Sequence, residues 1–282
     1  MGLVDYPGWR RLAPLITRAG RLRFGLWRAP YYFYERWLLR QIAHGPVPRH
    51  VGVILDGNRR HARGLALTDA REIYDLGARK LDDVLDWCAE LKIKAVTLWV
   101  FSPDNLSRPK DEVSGIFHAI ETKLTALIHD PQIHSRRIRV RTIGDVSLVP
   151  AGALAAIRAI EQVTSGYDAM ELNLAVGYGG RQEIVDAVRA ALAEMAAEGA
   201  SLHAAIGRLT SEAIAAHLYT AGLPDPDLII RTSGEIRLSG FLLWQSAQSE
   251  FYFSDVNWPA FRRVDFLRAV RAFQGRQRRF GR

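Results

Sequence analysis

Beyond residue 50 the chain alternates between two apolar rhythms. Short runs dense in β-branched and aromatic residues, Val51-Gly52-Val53-Ile54-Leu55, Ala95–Phe101, Ile138–Ile143, Glu171–Val176 and Asp227–Ile230, read as buried strands, with Phe241–Trp244 a further candidate. Between them apolar residues return at helical spacing. Ile73, Leu76, Leu81, Val84, Leu85 and Cys88 share one face of a helix over Arg71–Leu91, and Ile184, Val185, Val188, Leu192 and Met195 stripe another. Glu112–Ile128, a stretch from about 151 to 163, and Ala260–Phe273 complete the helical set. Asp56-Gly57-Asn58, Ser102-Pro103-Asp104-Asn105, Gly144-Asp145 and Gly177-Tyr178-Gly179-Gly180 end the strands with turn formers. This alternation predicts an α/β fold: a central, mostly parallel sheet flanked by helices, in a single domain.

Composition narrows the picture. At 282 residues with 48% hydrophobic content the chain can bury a sizeable core. No apolar run approaches the roughly 20 residues of a spanning helix, and no signal-peptide core opens the sequence, so a cytoplasmic protein is expected. The one cysteine, Cys88, excludes an internal disulfide and a cysteine-cluster metal site, and its place on an apolar helix face predicts a buried structural thiol.

The net charge of +8 is unevenly placed: residues 1–50 hold nine arginines against Asp5 and Glu35. Nine aromatics lie in the same stretch, among them Tyr31, Tyr32, Phe33, Tyr34 and Trp37. Residues 1–47 therefore read as a basic aromatic arm ahead of a catalytic domain at 48–282. Arginine interleaved with Trp and Tyr suits a helix lying in a membrane interface. Packing on the body with solvated arginines is the second reading, and nucleic acid, the third, is not expected as a partner.

Open α/β sheets bind ligands beyond the carboxyl ends of their strands, and the polar residues gather there. Asp56 ends the first strand, followed by a turn and the guanidiniums of Arg59 and Arg60. A carboxylate beside such a turn can hold Mg²⁺ on a polyphosphate, and Arg binds phosphate bidentately. Taken alone, the turn could equally be a surface connection with solvated charges. Ser102, Asp104, Asn105 and Arg108 follow the second strand, and Arg231 a later one. There is no G-x-G-x-x-G after the first strand, no Walker A sequence, no Ser-centred nucleophile elbow and no metal spacing among the eight histidines. What is left is a phosphorylated substrate outside the nucleotide folds.

Three stretches together, DGNRRHAR, FSPDNLSRP and IIRTSGEIRLSGFLLWQSAQSEFYF, resemble the cis-prenyltransferases, the family of undecaprenyl diphosphate synthase and short-chain Z-prenyl diphosphate synthases. The likeness spans about residue 48 to the RRFGR end. It implies a homodimer that condenses isopentenyl diphosphate with an allylic diphosphate (dimethylallyl, geranyl or farnesyl) to a Z-prenyl diphosphate, with Mg²⁺. A lipid-carrier synthase of the undecaprenyl type and a non-catalytic partner subunit are the alternatives. By the resemblance, Asp56 binds Mg²⁺, while Gly57, Asn58, Arg59, Arg60 and His61 form the loop holding the allylic diphosphate. Arg231, Arg237, Leu238 and Ser239 match the isopentenyl diphosphate site. Glu250 matches a carboxylate that completes the Mg²⁺ site across the dimer. Ser102, Pro103, Asp104, Asn105, Leu106 and Arg108 match a loop implicated in proton removal and diphosphate positioning, with Asn105 counted among the catalytic residues.

The sequence also departs from the family pattern. His61 stands where Trp is usual, Asp104 replaces Glu, Leu106 a common Trp, and Gln248 a frequent Tyr. Tyr74 falls near the family's His, with Arg71 its neighbouring arginine, at a spacing one residue longer. Val100, where long-chain members often carry Ala, and Met170 predict a short product by removing volume from the chain's tunnel. Peripheral attachment at the inner face of a membrane is the expectation for the arm.

Overall fold

The computed structural model describes residues 28–276; most of the arm and the RRFGR end fall outside them. In chain order the elements are α1 (Arg28–Ile42), β1 (His50–Ile54), α2 (Asn58–Gly64), α3 (Ala70–Glu90), β2 (Ala95–Phe101), α4 (Lys110–Ile128), α5 (Pro131–Ser135), β3 (Ile138–Ile143), α6 (Ala151–Thr164), β4 (Met170–Val176), α7 (Gly180–Ala197), α8 (Leu202–Arg208), α9 (Ser211–Ala215), β5 (Leu228–Arg231), β6 (Glu250–Phe253) and α10 (Arg263–Gly275). The strands form one sheet in the order β3-β4-β2-β1-β5-β6, every pair parallel. This is the single-domain α/β architecture the alternation predicts.

The period-two alternation of the strands feeds two apolar layers. Val51, Val53, Val96, Leu98, Leu172, Leu174, Leu228 and Ile230 join the large core under α3, α4, α6 and α10. Ile54, Ala175 and Ile229 turn the other way, into a smaller cluster with Tyr178, Phe241 and Leu242. Three polar side chains meet inside the sheet: His50 Nε2 lies 2.8 Å from Thr97 Oγ1, and Asn173 Nδ2 donates to the same hydroxyl. Burial holds His50 below its usual pKa, so the ring packs neutral. Cys88 is fully buried, and burial pushes its thiol far above the ordinary range.

Part of the basic aromatic stretch is built into the body. Helix α1 lies on α10, and its Leu38 and Ile42 belong to the large core. Three arginines at and on α10 sit over α1 rings: Arg262, which caps it, over Tyr31 at 5.0 Å, Arg268 over Tyr34 at 5.1 Å and Arg271 over Trp37 at 5.4 Å. Tyr32 and Phe33 face outward.

Three local expectations are corrected. Phe241–Trp244 is not a strand but a turn entered through positive φ at Ser239, Gly240 and Leu242, which drives Phe241 and Leu242 into the smaller cluster. The sixth strand is instead Glu250–Phe253. On α7 the buried face is Gly180, Glu183, Ala187, Ala191 and Met195, so of the expected stripe only Met195 is fully buried. Finally, the closing helix begins at Arg263, after a short 3₁₀ turn at Trp258–Ala260.

Candidate active site

Strand β1 ends against β2 on one side and β5 on the other, so the turns after all three open into one crevice. Asp56 emerges from β1 and Arg231 is the last residue of β5. The Arg231 guanidinium donates through Nη2 to Asp56 Oδ2 at 2.8 Å and through Nη1 to Ser239 Oγ at 2.8 Å and to the Arg237 carbonyl. Arg231 is nearly fully buried, and its Nε has no hydrogen-bond partner. Thr232 fixes the Asp56 backbone, its hydroxyl accepting from the Asp56 N–H at 3.0 Å and donating at 2.7 Å to the Asp56 carbonyl. The chain can turn here because Gly57 holds φ at 99°; a Cβ would meet Asn257 Oδ1 at 2.4 Å.

Around this pair lies a polar chamber of about 420 Å³. Six arginines line it, Arg59, Arg60, Arg63, Arg108, Arg231 and Arg237, against the carboxylates of Asp56 and Asp104. That surplus of guanidiniums attracts a multiply charged anion. Two glutamates outside the lining hold the arginines in place. Glu235 takes Arg60 at 3.2 Å and Arg237 at 2.5 Å, and Arg60, then Arg237, keep its carboxyl below the usual range. Glu112 takes Arg108 at 2.8 Å and Arg59 at 3.5 Å. Tyr74 donates to Glu112 Oε1 at 2.6 Å, and burial together with that bond pushes its hydroxyl far above the phenol range. The same hydroxyl accepts from Arg108 Nη1 at 3.0 Å, so the ring ties Arg108 and Glu112 together.

A second chamber of about 90 Å³ adjoins the first, sharing Leu55, Asn58, Tyr74, Val100 and Ile116 as common wall. It runs between α3, α4 and the sheet, lined by Gly77, Ala78, Leu81, Leu98, Ala119, Ile120, Leu124, Leu174, Val176 and Trp258. Among the described lining residues only Lys123 is charged. A cationic chamber thus lies beside an apolar slot.

Of the residues singled out from sequence, the polar chamber gathers Asp56, Gly57, Asn58, Arg59, Arg60, Tyr74, Ser102, Asp104, Asn105, Arg108, Arg231, Arg237 and Ser239. The Asn105 side chain accepts from the Ser102 N–H at 3.0 Å, which braces the 3₁₀ turn at Pro103–Ser107. Seven others lie outside the lining of both chambers. His61 is half-buried on α2, and Arg71 is exposed at the start of α3. Pro103 and Leu106 are exposed on the 3₁₀ turn, and Leu238 packs on the smaller apolar cluster. Glu250 sits at the start of β6, paired with Arg276 at 2.6 Å. Met170 is buried in the large core, apart from both chambers. Sequence reading missed Glu112, Glu235 and Thr232 as the groups that position the arginines and Asp56. Glu112 had a local signal, lying four residues after Arg108 in the first turn of α4.

Comparison with known proteins agrees with this geometry. Residues 54–281 match the family model described as putative undecaprenyl diphosphate synthase. The chain is 53% identical over 262 residues to an isoprenyl transferase of Thermus thermophilus, covering 93% of this chain and 99% of the relative. It is 51% identical over 258 residues to a (2Z,6E)-farnesyl diphosphate synthase of Thermobifida fusca, covering 91% and 99%. Among solved structures, lavandulyl diphosphate synthase from Lavandula x intermedia, crystallised with dimethylallyl diphosphate, aligns with a TM-score of 0.78 at 33% identity over 84% of this chain and 99% of its own. The chain belongs to the cis-prenyltransferases, the undecaprenyl diphosphate synthase family.

Proposed function

We propose that this prenyltransferase condenses isopentenyl diphosphate with a short allylic diphosphate, in the presence of Mg²⁺, to give a short Z-prenyl diphosphate. One observation carries the reading: a cationic chamber adjoins an apolar one, the two sharing Leu55, Asn58, Tyr74, Val100 and Ile116. That combination fits an amphiphile with a diphosphate head and a hydrocarbon tail. The guanidiniums of Arg59 and Arg60 would bind the allylic diphosphate beside Asn58, and Arg231, Arg237 and Ser239 the isopentenyl diphosphate. The partnerless buried Nε of Arg231 is a donor that a phosphate oxygen would satisfy.

The donor set fits Mg²⁺ shared with substrate. No group of three or more acidic, His or Cys side chains exists among the described residues to hold an ion alone. Asp56 supplies one carboxylate, and Mg²⁺ takes one or two carboxylates plus phosphate oxygens and water. When bound there it neutralises charge that builds on the departing diphosphate. The arginines share that load, and the apolar chamber fixes the allylic tail so that C1 faces the double bond of the incoming unit. Bond formation between the isopentenyl C4 and the allylic C1 releases diphosphate, and a proton leaves C2 of the isopentenyl unit toward the Ser102–Asn105 turn as the new double bond forms. Product length follows from space. A closed apolar cavity of about 150 Å³ takes up benzene. The slot, about 90 Å³ with Val100 in its wall, is smaller than that and so favours a short tail.

Two further features of the reading concern assembly. Glu250 stands away from Asp56 on the edge strand β6, so it would reach a metal site only from a partner subunit. The outward aromatics of α1 with Arg36 and Arg40 suit peripheral contact with an anionic membrane; no described helix is long and apolar enough to cross one.

Asp56→Ala tests the reaction. Removing it should lower kcat by about 1,000-fold or more, the several kcal/mol that a ligand of a leaving-group metal supplies. Inorganic pyrophosphate should still bind, because Arg231 is released rather than lost. A purified Asp56→Ala protein with near wild-type kcat refutes the assignment, and ladders of about ten or more isoprene units from the wild type refute the short product.

A further inference from the structure

Past the wall it shares with the polar chamber, where Asn58 and Tyr74 stand, the lining of the apolar chamber is apolar except for Lys123. On α3 it runs Tyr74, Gly77, Ala78, Leu81; on α4 it runs Ile116, Ala119, Ile120, Lys123 and, beside the lysine, Leu124. Each series covers two turns of helix, roughly 10 Å at 1.5 Å per residue. The next residue on α3 is Asp82, and Lys123 Nζ lies 2.5 Å from its carboxylate. The pair straddles the protein boundary: the Lys123 side chain is 16% exposed and that of Asp82 51%. The lysine thus lays its aliphatic stem across the slot and carries its ammonium out through the α3–α4 seam to a partner at the surface.

We propose that Lys123, latched by Asp82, is the floor of the prenyl-chain chamber and sets the length at which the product stops growing. This rests on the reading of the chamber as the prenyl site. An exposed ion pair is a weak latch. The block therefore comes from the volume of the lysine stem, and the carboxylate decides where that stem lies. Beyond the pair is water, so a tail that passed it would expose hydrocarbon rather than bury it. Val100 narrows the neck of the slot, whereas Lys123 ends it, and the two act at opposite ends.

The test separates the floor from the reaction by reading binding as well as products. Wild type, Lys123→Ala and Asp82→Ala are titrated by calorimetry with prenyl and n-alkyl diphosphates of increasing length. Wild-type affinity should rise with each added unit and then level off at the floor. In Lys123→Ala the levelling should come at least one isoprene unit later, with the longest ligands bound about tenfold or more tighter than by wild type. Asp82→Ala, which frees the stem without removing it, should move the break in the same direction by less. Product ladders with isopentenyl diphosphate and dimethylallyl or geranyl diphosphate should lengthen in the same order. Coincident binding breaks in wild type and Lys123→Ala overturn the floor, even with an active enzyme. A shifted break in a protein that forms no product keeps the floor and overturns the reaction instead. Weak, length-independent binding by all three proteins overturns both.

Discussion

Single side chains in this site act through neighbours far away in sequence. Asn58 lies behind the Asp56 turn, its amide donating to the Leu55 carbonyl at 3.2 Å while its buried Oδ1 has no partner. A Cβ on Gly77 of α3 would come within 2.4 Å of that Oδ1. Two effects oppose each other in Gly77→Ala. Alanine in a helix interior gains about 1 kcal/mol over glycine, and the clashing atom is the tip of a side chain that can swing away. Stability should therefore stay within about 1 kcal/mol of wild type by urea unfolding. Activity should not, because Asn58 moves out of the wall that both chambers share; kcat/KM should fall about tenfold or more. In an Asn58→Ala background the same change should add stability and cost no further activity, a non-additivity expected of residues in contact. Equal activity losses in both backgrounds would show that Gly77 acts without Asn58. This coupling cannot be read from sequence. Asp56 is legible because turn formers and guanidiniums flank it on the chain. Gly77 is one small residue in a helix, and Glu235 reaches Arg60 across 175 residues.

At the scale of elements, legibility follows the source of burial. Strands β1 to β4 and helices α3, α4 and α6 bury large apolar side chains, so their periodicity marks them. Helix α7 instead packs through small residues around a buried Glu183. That carboxylate accepts from Tyr178, the Tyr219 N–H and Gln245, and burial holds its pKa above the ordinary range. Its visible stripe, Ile184, Val185, Val188 and Leu192, is half-buried or exposed, because close approach of backbones rather than apolar bulk decides that packing. Helix α1 divides its faces the same way. Leu38 and Ile42 belong to the core and Arg262, Arg268 and Arg271 sit over Tyr31, Tyr34 and Trp37, whereas Phe33 is 68% exposed and Tyr32 54%. Deleting residues 1–47 would therefore strip the core along with any lipid contact, and point changes on the outer face make the cleaner test. Phe33→Ser with Tyr32→Ser should leave the melting temperature within a few degrees and weaken sedimentation with anionic vesicles about tenfold. Wild-type binding should fade with salt. Equal pelleting of both proteins, or of neither, would leave α1 a purely structural helix.

At the scale of the whole molecule, the sheet leaves β6 as an open edge, with Phe251 and Phe253 stacked and half-buried along it. Glu250 begins that strand, held by Arg276 rather than by anything near Asp56. A single chain therefore offers one end of a carboxylate pair, and a second copy placed symmetrically would offer the other. If each site takes Asp56 from one subunit and Glu250 from its partner, the two defects can complement. Asp56→Ala and Glu250→Ala homodimers should each be nearly inactive. Unfolded and refolded together in equal amounts, about half of the dimers should be mixed, each with one intact site and one doubly defective site. The mixture should thus recover about a quarter of wild-type activity, and sedimentation should show dimers throughout. Were Glu250 to serve its own subunit, no arrangement of the two variants would hold an intact site, and activity would stay at the level of the separate mutants. A monomer by sedimentation with full wild-type activity would remove the partner from the site altogether.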